Sequence, residues 1–241
     1  MYTDIHSHVI WGVDDGAETK EETFTMLKAA AEDGIHRIIC TPHVTPGVYE
    51  FPEETFEAHY REAEAYLAAE KIPIELERGA EVLYTDSTPR LIREGKIATL
   101  GGSGYLLVEF SPTDTKQHIT DAIQKIAGTG ATPVIAHMER YPAIGKTEEA
   151  RELKRRFGAL IQINARSLTR KQPFFRRKFF DALFAEGICD LIATDTHAME
   201  GRGTCMTAGM TAVKAKFGEE EAERLEEKAK AIWQNIGKNK K

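Results

Sequence analysis

The sequence predicts one α/β domain of 241 residues, built as a distorted (β/α)7 TIM-like barrel with a metal site at the carboxyl-terminal rim of its strands. Three observations predict it. Short β-rich apolar runs alternate with stretches of helical spacing, as parallel strands with helical crossovers require. Several of the helical stretches stop at a glycine, among them Gly34, Gly95, Gly130 and Gly187. Most of the apolar runs end on a histidine or a carboxylate, so distant parts of the chain would meet at one mouth.

The first strand is expected over 2–6, within Asp4-Ile5-His6-Ser7-His8. In extended chain, residues two apart share a face, so both imidazoles reach toward one ion. Asp14-Asp15-Gly16 follows; an aspartate before glycine ordinarily makes a turn, and that reading is stronger for Asp14 than for Asp15. A helix over 21–33 leads to a strand over 37–41, which exits through Pro42 to His43. A helix over 53–70 precedes a strand over 74–81 ending on Glu81, and a short helix over 87–94 precedes a strand over 105–110 that carries Glu109. Helix 119–129 then leads to strand 133–137, where Val134-Ile135-Ala136 ends on His137. Helix 147–157 and strand 160–164 come next, then helix 174–186 and strand 191–195, whose end Asp195-Thr196-His197 repeats the two-apart spacing. The stretch 219–234 reads as an outer helix and 238–241 as a basic tail. Seven strands are expected, and six of them end at candidate ligands.

His6, His8, Asp15, His43, Glu81, Glu109, His137, Asp195 and His197 are nine nitrogen and oxygen donors without a thiolate. A buried carboxylate at a strand end is costly unless a cation meets it. Nine donors exceed the needs of one ion, so two or three divalent ions are implied, with manganese, iron and zinc all suited to the donor set. His36, His59 and His118 lie away from strand ends and read as ordinary surface or core histidines.

Composition narrows the rest. The net charge of −6 argues against nonspecific nucleic-acid binding, and no apolar run approaches the roughly 20 residues that span a bilayer, so a cytoplasmic location is expected. Cys40, Cys189 and Cys205 lack metal or disulfide spacing. The residues six positions after them are Pro46, Asp195 and Thr211, which argues against a cysteine-phosphatase loop ending in arginine. Gly101-Gly102-Ser103-Gly104 has no following lysine and reads as a turn.

With these residues in view, the chain resembles the polymerase and histidinol phosphatase (PHP) superfamily. Within it, Asp4-Ile5-His6-Ser7-His8, Val13-Asp14-Asp15-Gly16, Gly79-Ala80-Glu81, the block from Val134 through His137-Met138-Glu139-Arg140-Tyr141, and Asp195-Thr196-His197 resemble the metal-dependent protein-tyrosine phosphatases of bacterial capsule and exopolysaccharide operons. The resemblance implies a trinuclear, usually manganese-activated site that removes phosphate from a bacterial tyrosine autokinase. It assigns the nine donors as ligands, with Asp15 the ligand of the Asp-Asp pair, and Arg140 and Arg202 as phosphate-binding arginines. The segment Arg166-Ser167-Leu168 and the basic, aromatic run 170–180 match it less clearly.

Clustered dications would lower the pKa of a bridging water toward neutrality, supplying a hydroxide nucleophile without cysteine. Asp195, His197 and His43 are candidates for moving a proton as well as for holding metal. Rival readings are a small-molecule phosphomonoesterase such as a histidinol phosphatase, a nuclease, and a nonenzymatic metal-binding scaffold.

Overall fold

The computed structural model describes residues 1–171 and 173–237. The expected basic tail at 238–241 lies outside the described residues. The chain opens with β1 (Tyr2–Ser7), α1 (Lys20–Glu32), β2 (Ile35–Cys40), β3 (His43–Val44), α2 (Glu53–Glu70), β4 (Glu75–Arg78), β5 (Glu81–Leu83) and α3 (Thr88–Arg93). It continues with β6 (Tyr105–Glu109), α4 (Lys116–Ala127), β7 (Thr132–Ile135), α5 (Thr147–Phe157), β8 (Leu160–Asn164), α6 (Ala165–Thr169), α7 (Phe174–Ala185), β9 (Leu191–Ala193), α8 (Met206–Phe217) and α9 (Glu219–Gln234).

All strand pairings are parallel and fall into two ladders, β1-β2-β4 and β3-β5-β6-β7-β8-β9. The ladders are two parts of one curled sheet. β3 continues β2 after a break at Thr41-Pro42, and β5 continues β4 after a break at Gly79-Ala80. Backbone bonds from Gly79 N to Cys40 O (2.8 Å) and from Glu81 N to Pro42 O (3.0 Å) keep the pieces in step across both breaks. The strand expected over 74–81 is therefore two short strands. Its break has a steric cause: a Cβ on Gly79 would stand 2.8 Å from the Ile39 side chain, so the chains approach too closely there for a regular pleat.

The curl brings β9 back to β1. Contact there is one bridge, Ser7 with Thr196, supported by backbone bonds from Asp195 N to His6 O (2.9 Å) and from His8 N to Thr196 O (2.8 Å). Buried Asp4 adds a side-chain link, accepting from Thr194 N at 3.0 Å and from the Thr194 hydroxyl. Seven continuous strands result, as the alternation predicts, in a barrel whose seam is thin.

Ile5, Ile39, Leu107, Val134 and Leu191 form the inner core. Ala229 and Ile232 of α9 join it, so this helix does more than cover the outside. A second apolar layer packs the helices on the outer face of the sheet. Among the described residues, no helix is long and apolar enough to cross a membrane.

The sequence pattern does not announce α8. Thr207, Gly209 and Thr211 are weak helix formers, and the helix holds because it packs closely on α6. A Cβ on Gly209 would stand 2.8 Å from Ala165 Cβ and 3.1 Å from its carbonyl oxygen. Gly209→Val is therefore expected to destabilise the fold by about 2 kcal/mol, the usual scale of overpacking, read as a lowered urea midpoint with an unchanged slope.

Candidate metal centre

The rim is assembled by local departures from regular strand. Ile5 packs in the inner core while His6 Nδ1 lies 3.3 Å from Gln162 Oε1 on β8, so two successive side chains face inward. A regular pleat would send them to opposite faces; the ladder's register shifts between Asp4 and Ser7 and re-aims His6. His8 lies just past β1, and His43 begins β3 after the Pro42 break. Glu81 opens β5, where the sequence reading places it at the end of a strand; the break at Gly79-Ala80 accounts for the difference. Glu109 closes β6, and His137 and Asp195 follow β7 and β9. His137 and Asp195 hold positive φ angles of 29° and 53°, strained for residues with a Cβ and typical of functional positions.

Glu81, fully buried, is the hub. His6 Nε2, His8 Nε2 and His43 Nδ1 lie 3.1, 3.2 and 3.2 Å from its Oε2, and His137 Nε2 lies 2.7 Å from its Oε1. His43 Nδ1 is also 3.0 Å from Glu109 Oε1. Asp195 Oδ1 stands 3.5 Å from His6 Nε2 and 3.4 Å from His197 Nδ1. Asp15, well exposed, reaches His43 Nε2 at 3.2 Å and His197 Nε2 at 3.3 Å. Three overlapping groups have the reach to hold a cation: His6, His8, Glu81 and Asp195; His8, Asp15, His43 and His197; and His43, Glu81 and Glu109. His137 lies outside these groups and contacts them through Glu81.

Divalent cations fit this donor set. Two ligands about 2.1 Å from one ion stand about 3 Å apart, the spacing seen throughout. The Nε2 atoms of His6 and His8 are 3.2 Å apart, a spacing that lets both ligate one ion. Glu81 Oε2 and His197 Nε2 are buried without an aligned hydrogen-bond partner among the described residues, and each faces the cluster. An orphaned buried acceptor is otherwise costly.

The residues that orient these donors escape a motif reading. Asp14 accepts from His8 Nδ1 at 2.7 Å and from His43 N at 3.0 Å, besides closing its turn on Gly16 N at 2.9 Å. A turn-only reading of Asp14 is thus incomplete. Such carboxylates fix the tautomer and direction of an imidazole. Strand β8 offers no ligand, yet Gln162 Oε1 accepts from His137 N at 2.7 Å and Asn164 Nδ2 donates to Asp195 Oδ2 at 2.7 Å. The Tyr141 hydroxyl lies 3.2 Å from His137 Nδ1. The only sequence signal for Gln162 and Asn164 is two polar residues alternating along an otherwise apolar strand.

Electrostatics follow from burial against pairing. Burial opposes ionisation of Glu81, but the charge on His6 and the hydrogen bond from His137 hold its carboxyl well below the usual range. Burial likewise disfavours charge on His8, yet the hydrogen bond to Asp14 and the nearby charge of Glu81 raise it to about 10. His197 moves oppositely, pushed down to about 3 by burial and by the charge on His8, whose ring stacks 3.8 Å from its own. Burial also pushes the Cys40, Cys189 and Cys205 thiols up, so none offers a ready thiolate.

Two arginines border the cluster. Arg140 pairs with Asp195 Oδ2, and Arg202 Nη2 lies 3.3 Å from Asp195 Oδ1 while its Nη1 lies 3.5 Å from Asp15 Oδ2. Both are about two-fifths exposed, at 41% and 39%, so their forks face solvent over the donors. Adjacent imidazoles, carboxylates and open guanidinium groups are the parts of a centre that binds and cleaves a phosphate ester.

A family profile described as capsular polysaccharide synthesis, CpsB/CapC, matches residues 2–232. The chain belongs to the CpsB/CapC family. Within that family it is 30% identical over 228 residues to tyrosine-protein phosphatase CpsB of Streptococcus pneumoniae, covering 92% of this chain and 93% of that protein. It is 26% identical over 232 residues to tyrosine-protein phosphatase YwqE of Bacillus subtilis, covering 96% of this chain and 91% of the relative. A crystal structure from work on YwqE and CpsB, described as unique metal-dependent tyrosine phosphatases, superposes with a TM-score of 0.87 at 26% identity. That match covers 97% of this chain and 94% of the other, so the CpsB/CapC architecture extends along nearly the whole molecule.

A metal-ligating imidazole must be neutral, whereas His8 raised to about 10 carries a proton at pH 7 in the metal-free cluster. Adding manganese to metal-free protein at pH 7 is therefore expected to release at least one proton per chain. Calorimetry in buffers of different ionisation enthalpy reads that release, and apparent affinity should climb as pH rises from 6 toward 8.

Proposed function

We propose that this chain, over residues 1–241 as one catalytic unit, is a metal-dependent protein-tyrosine phosphatase acting in the cytoplasm on a bacterial tyrosine kinase of capsule or exopolysaccharide synthesis. The observation that carries the reading is the convergence of three overlapping donor groups beneath two outward-facing arginines. Relatives named as tyrosine-protein phosphatases support it.

In this reading His6, His8, Asp15, His43, Glu81, Glu109, His137, Asp195 and His197 hold two or three divalent ions, manganese first among them. When bound, such ions supply Lewis acidity toward a phosphoryl group and bring the pKa of water toward neutrality. The chain's own residues do the rest. Asp14, Gln162 and Tyr141 hold the imidazoles in one orientation, so little rearrangement accompanies substrate entry. Arg140 and Arg202 share Asp195, a residue that would hold metal, and their part-exposed forks are placed to grip the nonbridging oxygens of phosphate.

Water attacks phosphorus in line, the bond to the tyrosyl oxygen breaks, and inorganic phosphate and tyrosine leave. Phenol has a pKa of about 10, far below that of an alkyl alcohol, so the departing oxygen needs modest proton assistance. Aryl esters should consequently outpace alkyl esters.

The test is the purified chain loaded with manganese, offered p-nitrophenyl phosphate, a phosphotyrosyl peptide and histidinol phosphate in parallel. Turnover of the first two, its loss on chelation and its recovery with manganese are expected; preference for histidinol phosphate would favour the small-molecule reading instead. Arg140→Ala should lower kcat/KM on the phosphotyrosyl peptide about 100-fold, or about 3 kcal/mol of transition-state stabilisation, with metal content unchanged.

A further inference from the structure

Beyond the metal centre, a cavity of about 360 Å³ opens between the α6–α7 segment and α8. Its rim carries Arg170, Lys171 and Arg177, all exposed. Its floor is apolar, with buried Phe180 and Phe184 and with Phe217 stacked on Phe184 at 4.9 Å between ring centroids. Lys216 also lines the cavity but is paired with Asp181. Among the described residues, no carboxylate pairs with Arg170, Lys171 or Arg177. Three cations gathered over an aromatic floor, in a chain whose net charge is −6, repel one another and find no carboxylate partner among the described residues.

The same segment is fastened to the catalytic rim. Ser167 Oγ donates to Glu139 Oε1 at 2.7 Å and Arg176 Nη2 to Glu139 O at 2.6 Å, beside Arg140. Arg170 Nη2 donates to Gly201 O at 3.5 Å, beside Arg202. A chain bound at the two arginines therefore passes next to this cavity.

Resting on the phosphatase reading above, we infer that the cavity docks an acidic segment of the phosphotyrosyl protein near its modified tyrosine. An apolar side chain enters over Phe180 and Phe217, and flanking carboxylates meet Arg170, Lys171 and Arg177. Basic clusters with an apolar floor recognise acidic motifs in this way, the charges steering encounter and the floor fixing register. Free phosphate or a small aryl phosphate has neither feature and is indifferent to the cavity.

The experiment uses the full manganese-loaded chain and a labelled, unphosphorylated peptide with a central phenylalanine flanked by glutamates. Fluorescence anisotropy should show binding that weakens steeply with added salt. Lys171→Glu and Arg177→Glu should each weaken it about tenfold, while Lys171→Ala, the milder change at an exposed site, should weaken it by a smaller factor. With the same peptide extended to carry a phosphotyrosine beside the docking stretch, the ratio of its kcat/KM to that for p-nitrophenyl phosphate should fall about tenfold in the two charge-reversed variants, through KM rather than kcat. Wild-type binding in both variants, or tighter binding of a single-stranded oligonucleotide than of the peptide, would overturn the inference. Peptide binding without turnover of p-nitrophenyl phosphate by the wild type would support the docking site while sinking the phosphatase reading, because anisotropy needs no catalysis.

Discussion

The burial of Glu81 among four imidazoles is the constraint around which the molecule is arranged. A fully buried carboxylate is expensive to ionise, and protonated imidazoles crowded beside it repel one another, so metal-free protein satisfies one set of charges at the expense of another. The opposite shifts of His8 and His197, two stacked rings, express that conflict: one holds its proton and the neighbour is denied one. A cation held by these groups would remove the need for either arrangement, since the donors within its reach would then face opposite charge.

The scaffold serves this arrangement through defects. A register shift in β1 turns His6 inward, breaks in the second and third continuous strands place His43 and Glu81 at matched heights, and strained backbone at His137 and Asp195 aims two further donors. A perfectly regular barrel would send alternate side chains away from the mouth. The thin seam between β1 and β9 belongs to the same pattern, because two of the donor residues, His8 and Asp195, also supply the backbone bonds that close it.

Charge is divided over the surface. The donors make the mouth acidic at Asp15 and Glu109, whereas Arg140 and Arg202, with the rim of the α6–α8 cavity, supply positive charge beside it. A phosphorylated substrate would be drawn toward the arginines, where positive charge is gathered on a protein of net charge −6.

The alternation of apolar runs and helical spacings was sufficient to determine a parallel α/β architecture of seven strands, since both periods are local properties of the chain. The His-x-His and Asp-x-His spacings and the block around His137 and Arg140 are likewise local, and they named the donors that the rim brings together. Helix α8 was not legible, because Thr207, Gly209 and Thr211 form a helix only against Ala165. Nor were the roles of Asp14, Gln162, Asn164 and Tyr141, which depend on partners brought near by folding. The division between one strand and two at Gly79 depended on how near Ile39 comes. Only the tertiary structure decided these, because close approach and hydrogen-bond partnership across a barrel are set by distances between segments remote in sequence, which no spacing along one segment records.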